Sequence, residues 1–233
     1  MTNTDVVFGI TGMPGSGKSV VSDLFSSSFG AKIDSDKIGH EILKKNEVKK
    51  ELVANFGEGI ITEGQINRRV LSEIVFDSEK IKILNKISHP RIKTSILESI
   101  QENLAIGDFY IVEVPLLFES GFDSFCDYTF CIEASFQTRL NRVKSQRNWS
   151  ENELRKRDSC QNESLKKNTS NILINGEGAL EDLKKEINRF VIAFRYHSVL
   201  WLNEKNTVEQ LIRFFNEFSW SSTLLKFNKY ADR

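Results

Sequence analysis

Eight consecutive residues, Gly12-Met13-Pro14-Gly15-Ser16-Gly17-Lys18-Ser19, constrain this chain more than any other stretch. They fit the pattern G-x-x-x-x-G-K-[ST], and their setting fits as well as their letters. Before them runs Val6-Val7-Phe8-Gly9-Ile10-Thr11, an apolar run of the kind that forms a buried parallel strand. After them Val20, Val21, Leu24 and Phe25 recur at helical spacing. A strand, a glycine-rich loop and a helix in that order make a phosphate cradle. Successive backbone N–H groups and the positive end of the helix surround the anion, and Lys18 reaches the β/γ oxygens. The Ser19 hydroxyl is placed to ligate Mg²⁺. A chain with this arrangement binds a nucleoside triphosphate.

The rest of the composition narrows the partners. In 233 residues, Lys plus Arg and Asp plus Glu both number 32, so the formal net charge is zero. That gives no electrostatic case for nucleic acid or an anionic membrane as the main partner. The first residues lack the charged and apolar regions of a signal peptide, and no apolar run approaches the roughly 20 residues that span a bilayer. The expectation is a soluble, cytoplasmic protein. Cys126, Cys131 and Cys160 show no C-x-x-C spacing. They read as small buried hydrophobes and not as a zinc site or disulfide framework.

Along the chain, a short apolar piece at Ala31-Lys32-Ile33 ends in Asp34-Ser35-Asp36. Residues 38–103 then turn helical and charged, with apolar residues three and four apart over 47–56, 68–76 and 79–87. His89-Pro90 breaks the pattern, which resumes over 91–104. Strands follow at 109–114, 128–132 and 172–174. Ser135 caps a helix through Arg147, Ser150 opens another with a capping box, and a helix from Leu180 to about Phe194 closes the core. Strands alternating with helices imply an α/β fold with a largely parallel, five-stranded sheet flanked by helices. Ligands in such sheets sit at the carboxyl ends of the strands. Asp34, Asp36, Glu113 and the loop at Gly12 all fall at such ends and are expected to share one cleft.

Phosphoryl transfer demands position and charge compensation more than covalent chemistry. Asp34 and Asp36, two apart at a strand end, could share a face: one can orient or deprotonate an acceptor hydroxyl while the other contacts Mg²⁺, directly or through water. Arg139, Arg142, Lys144 and Arg147 precede the capped helix, and Arg155, Lys156, Arg157, Lys166 and Lys167 follow. A basic helical pair is what a lid over ATP requires, because it excludes water and brings guanidinium forks to phosphate. Arg142 and Arg147 are the functional candidates there. The lysines are assigned to solvent.

These residues together resemble the dephospho-CoA kinases. The phosphate loop, Asp34-Ser35-Asp36, Phe56-Gly57, Ile66-Asn67-Arg68-Arg69-Val70-Leu71, His89-Pro90, Val114-Pro115-Leu116-Leu117-Phe118-Glu119, Arg139-Leu140-Asn141-Arg142, Gln146-Arg147, Gln161 and Asn175 are collinear with that family's motifs over roughly residues 6–190. The resemblance implies a P-loop kinase fold: a core over about 1–37, 106–138 and 169–200, an acceptor-binding helical insert at 38–105, and a lid at 139–168. It also implies an ATP- and Mg²⁺-dependent phosphotransferase acting on the ribose 3′-hydroxyl of dephospho-CoA, the last step of coenzyme A synthesis. Asp36 would be the base, with Lys18 and Arg142 completing the catalytic set. Pro14, Gly15, Ser16, Gly17, Lys18, Ser19, Val20, Arg147 and Asn175 would hold ATP. Asp34, Arg68, Arg69, His89 and Leu116 would hold dephospho-CoA, and no obligate protein partner is evident.

Some positions depart from that pattern. Val20 replaces a Thr, Glu113 an Asp and Ile174 an Asp, and Lys166-Lys167 stand near a more usual Arg. The chain also runs on past the usual end through 201–233, where Val208, Leu211, Ile212, Phe215 and Phe218 make one apolar helical face. The alternatives are another P-loop small-molecule or nucleotide kinase, such as a shikimate kinase, and a nucleotide-binding protein without catalysis.

Overall fold

The structure is a computed structural model that describes residues 6–75, 78–102, 109–200 and 225–227. The chain forms two compact units, Met1–Ile33 with Leu104–Arg233, and Asp34–Asn103. In chain order the first contains β1 (Val6–Gly12), α1 (Lys18–Phe29) and β2 (Gly30–Asp34), whose last residue opens the second unit. The second holds α2 (Ser35–Ile42), α3 (Asn46–Phe56), β3 (Ile61–Thr62), β4 (Gln65–Ile66), α4 (Arg68–Ile74) and α5 (Ser78–Glu102). The first unit resumes with β5 (Phe109–Glu113), β6 (Tyr128–Glu133), α6 (Phe136–Arg147), α7 (Glu151–Asp158) and α8 (Glu163–Thr169). It closes with β7 (Ile172–Asn175), α9 (Leu180–Leu200) and β8 (Leu225–Phe227).

The main sheet has the order β2-β5-β1-β6-β7-β8. β1 pairs in parallel with β5 and β6, and β6 with β7. This is the expected five-stranded, doubly flanked sheet. The sixth strand is an addition: β8 comes from the C-terminal extension and runs antiparallel to β7, with Leu225 opposite Ile174 and buried in the core. The helix expected over 207–218 lies outside the described residues.

Near-continuous apolar strands need cover on both faces, and aromatic rings supply much of it. Phe8 stacks on Phe109 at 5.8 Å and meets Phe130 and Phe194 edge-on at 5.3 Å each. Phe25 of α1 and Phe190 of α9 join the same cluster, which fixes the helix that follows the phosphate loop against the sheet. The register sets Ile10 opposite Glu113, Gly12 opposite Ile132, and Glu133 opposite Asn175. The chemistry-bearing ends of four strands are thereby aligned.

The second unit packs Ile42, Val48, Leu52, Ile60, Leu71, Val75 and Ile87 into an aliphatic core. Two features differ from the sequence reading. β3 and β4 form a small hairpin inside the mainly helical unit, each strand too short to show an alternating pattern. And α5 runs through Pro90 without ending. Proline removes one helical hydrogen bond, to the Lys86 carbonyl, while the next residue, Arg91, ties the helix down by donating to the Ile87 carbonyl at 2.6 Å and reaching Glu51 of α3 at 2.8 Å. Packing of α5 on α2 and α3 offsets the rest. Cys126 and Cys131 are buried as expected, whereas Cys160 is exposed. Burial pushes the Cys131 thiol up to about 12, so that sulfur stays protonated and unreactive.

Candidate active site

The phosphate loop joins the carboxyl end of β1 to the amino end of α1. No side chain caps the first amides of α1, and no acidic residue stands in its first turn. Uncapped amides at the positive end of a helix form an anion site. Lys18 folds back over the loop, its Nζ donating to the Gly12 and Met13 carbonyls at 2.9 and 3.1 Å. Those acceptors are neutral, and a phosphate oxygen is the stronger partner for an ammonium. Gly15 adopts φ +77°, and a Cβ there would stand 2.9 Å from Val143 Cγ1 and 3.0 Å from the Arg139 carbonyl. Backbone conformation and close approach to α6 both demand glycine. Val20 is half exposed in the first turn of α1.

Ser19 donates from Oγ to Glu113 Oε1 at 2.8 Å. Glu113 ends β5 and is nearly buried; its Oε2 lies 3.1 Å from Lys32 Nζ, which also reaches Asp23 at 2.8 Å. Burial alone would pull the Lys32 ammonium down, but its hydrogen bond to Asp23 and the charge of Glu113 outweigh this and hold it above its ordinary value. Ser19 and Glu113 offer hard oxygen donors, and among the described residues no cluster of three or more His, Cys, Asp or Glu forms a cage. Mg²⁺ takes few protein ligands beside phosphate oxygens and water, so this donor set fits it.

The basic segment is tied inward. Arg139 is buried and splits one amino group between the Pro14 carbonyl at 3.2 Å and Asp158 at 2.8 Å; its other amino group meets the same carboxylate at 2.9 Å. One guanidinium thus joins the phosphate loop, α6 and the end of α7. Arg142 donates to the Ser16 carbonyl at 2.9 Å and to the Gly176 carbonyl at 2.6 Å. Arg147 is exposed at the end of α6, its guanidinium 5.0 Å from the centre of the Trp149 ring; Arg157 lies 4.0 Å from the same ring. The surface assignment of the lysines fails at Lys166, which is completely buried. Its neighbour Lys167 stays partly exposed, paired with Glu163 and Glu133.

Asn175 ends β7 and accepts the Glu177 N–H on Oδ1 at 2.9 Å, shaping the turn through Gly176. A Cβ on Gly176 would lie 2.6 Å from the Ser16 carbonyl oxygen. The β7–α9 turn therefore rests directly on the phosphate loop. Leu116 is half-buried in the turn after β5, its carbonyl accepting the Ser120 N–H and hydroxyl.

In the second unit, Asp34 caps α2, its Oδ1 accepting from the Asp36 and Lys37 amides at 3.0 and 3.1 Å. Asp36 is exposed in the first turn of that helix. One turn later His40 Nε2 hydrogen-bonds Arg68 at the start of α4. Arg69 is exposed and pairs with Glu73 at 3.3 Å. His89 is half-buried in α5, and burial lowers its pKa below the usual histidine range.

Within the first unit the structure brings together Pro14–Val20, Arg142 and Asn175; within the second it joins Asp34, Asp36 and Arg68 through α2. The sequence reading missed the anchoring roles of Arg139 and Asp158, the close approach at Gly176 and the burial of Lys166. Only the Asn175-Gly176 pair at a strand end carried a usable sign, as a turn dipeptide.

Comparison with known proteins shows the family and the fold. A sequence profile of the dephospho-CoA kinase family matches residues 6–182. A dephospho-CoA kinase of Fusobacterium nucleatum is 35% identical over 191 residues, 79% of this chain and 96% of that protein. One of Arabidopsis thaliana is 34% identical over 194 residues, 81% of this chain and 84% of its own. Among solved structures, a Thermus thermophilus protein superposes with a TM-score of 0.70 at 29% identity, over 81% of this chain and 97% of its own. Dephospho-CoA kinase from Campylobacter jejuni gives 0.57 at 29% identity, over 82% and 97%. By a profile that spans most of its length and by relatives matched nearly end to end, this chain belongs to the dephospho-CoA kinase family.

Proposed function

We propose that this protein transfers the γ-phosphoryl group of ATP to the ribose 3′-hydroxyl of dephospho-CoA, giving coenzyme A and ADP in the last step of coenzyme A synthesis. The observation that carries this reading is a fully formed phosphate cradle inside a family match over residues 6–182. Its partners are then ATP and dephospho-CoA, and its place is the cytoplasm; among the described residues no helix is long and apolar enough to cross a membrane.

In this reading the loop amides and Lys18 hold the β- and γ-phosphates. Ser19 and Glu113 would hold Mg²⁺, which would supply charge neutralisation for the transfer when bound. Asp36 takes the proton of the 3′-hydroxyl as the acceptor oxygen bonds to the γ-phosphorus and the bond to the bridging oxygen of ADP breaks. Arg142 exchanges its carbonyl partners for oxygens of the transferring group, gaining charge-assisted bonds. Arg147 and Asn175 serve the nucleotide, and Asp34, Arg68, Arg69, His89 and Leu116 serve the acceptor.

The test is direct. Protein, ATP, Mg²⁺ and dephospho-CoA are incubated and coenzyme A is sought by mass, with nucleotides and shikimate as parallel acceptors. Coenzyme A is the expected product. Its absence, or a preference for another acceptor, overturns the reading.

A further inference from the structure

Lys166 is completely buried, and its ammonium meets the Pro115 carbonyl at 2.5 Å and both oxygens of Glu119 at 2.7 and 2.9 Å. Glu119 Oε1 also accepts the backbone N–H of Asn162 at 3.0 Å, and Asn162 in turn caps α8 through the Leu165 amide at 2.9 Å. The Pro115 carbonyl has a second donor as well, the Thr11 hydroxyl at 3.1 Å. Thr11 directly precedes the first glycine of the phosphate loop. One ammonium therefore gathers the end of β1, the turn after β5, the α7–α8 junction and α8.

Burial works against this charge and Glu119 works for it, with the net effect of lowering the Lys166 pKa. With one partner buried and the other, Glu119, reaching solvent, such a pair is seldom a large net source of stability, since burying the ammonium costs much of what the attraction returns. What the pair does supply is direction. Three bonds to a single nitrogen fix the angle at which α8 meets the strand ends. The same segment is anchored at its other end, where Arg139 grips Pro14 and Asp158. Between the two anchors lies the α6–α7 hairpin, with Arg147 and Trp149 at its turn and the Arg157 guanidinium over the Trp149 ring.

We propose that Lys166 is a positioning residue for phosphoryl transfer: with Glu119 it forms a clasp that fixes the root of the α6–α8 segment to the phosphate loop. The proposal rests on the phosphotransfer reading for its catalytic consequence, but its structural half does not. Without the clasp the hairpin closes on ATP in the wrong place, although the loop that binds the phosphates is untouched.

The experiment compares wild type with the double variant Lys166→Met/Glu119→Leu, which removes the charges together and leaves no buried ion unpaired. Four quantities are measured: the melting temperature, the ATP dissociation constant, hydrogen exchange of residues 136–169 with and without ATP·Mg²⁺, and the rate of coenzyme A formation. The variant is expected to melt near wild type and to bind ATP nearly as well. The ATP-induced protection of residues 136–169 is expected to be lost, and kcat to fall about ten- to a hundredfold, as misplacement of distant supports does. Wild-type protection and kcat in the variant overturn the clasp. Should the double variant not fold, Glu119→Gln keeps the shape and removes the charge, and unchanged protection and kcat in it are equally fatal. If wild type forms no coenzyme A, the phosphotransfer reading fails, while the ATP-induced exchange protection of residues 136–169 still decides the clasp.

Discussion

The two units hold their polar groups in opposite ways. In the first, Lys18, Arg139, Arg142 and Lys166 all donate to backbone carbonyls, and Ser19 is bonded to a nearly buried glutamate. In the second, Asp36, Arg68 and Arg69 are exposed, and Arg68 bonds His40 while Arg69 pairs with Glu73. The cores differ in the same sense, stacked aromatic rings in one and aliphatic side chains in the other. A phosphate cradle works because its dipoles are fixed before the ligand arrives. A surface that recruits a large acceptor can instead spend side-chain freedom at the moment of binding. Substitutions in the phosphate loop or in the backbone packed on it should therefore weaken nucleotide binding, and those in the second unit should leave it intact.

The largest expected contrast lies between Asp36→Asn and Lys18→Ala. If Asp36 is the base, as proposed, Asp36→Asn should cut turnover by about a thousandfold or more while ATP affinity and melting temperature stay near wild type. Lys18→Ala should depress turnover by about a hundredfold or more and weaken ATP binding as well. Turnover kinetics, ATP titration and thermal melting on both variants give the answer. If Asp36→Asn loses ATP binding, or keeps its turnover, Asp36 is not the base and the separation between units breaks down.

A smaller effect sharpens the contrast at glycine. Gly176→Ala places a methyl 2.6 Å from the Ser16 carbonyl and 3.0 Å from the Glu133 carbonyl, both backbone atoms that cannot rotate away. Overpacking of this kind costs about 1–3 kcal/mol, and the displaced loop should bind ATP more weakly. Gly59 in the second unit has nothing within 4 Å of the same methyl. Gly59→Ala should leave both melting temperature and ATP affinity unchanged. Equal effects at the two sites would show that the phosphate loop yields as easily as the surface.

How far the sequence revealed these features follows from how local they are. The phosphate loop is eight adjacent letters between a strand and a helix, and the sheet follows from apolar runs that repeat along the chain. Lys166 and Lys167 are identical neighbours, yet one is sealed by Glu119 and the other faces water. No local pattern separates them, because the carboxylate that decides the matter lies 47 positions away. The same holds for Arg139, whose partner Asp158 is on the next helix. Pro90 misled in the other direction. Its local rule is real, but the contacts of α5 with two neighbouring helices outweigh one missing hydrogen bond.

The smallest effect concerns acid. His89 sits half-buried in α5, and burial holds its pKa below the ordinary value of 6.5. The folded unit thus resists a proton that the unfolded chain accepts. Near pH 7.5 and above the residue is neutral in both states and its titration costs nothing. As pH falls through 6.5 the unfolded chain takes up the proton first, and folding stability declines until the folded state is protonated too. His89→Gln should remove this share of the acid-side loss, so that unfolding free energies between pH 7.5 and 5.5 differ less in the variant than in wild type. Hydrogen exchange read over residues 84–96 should show the change in α5, whereas the amides of β1 and β5 keep their protection across the same range. A variant with the wild-type pH profile would mean that His89 takes up its proton alike in the folded and unfolded chain, and that the acid response of the inserted unit arises elsewhere.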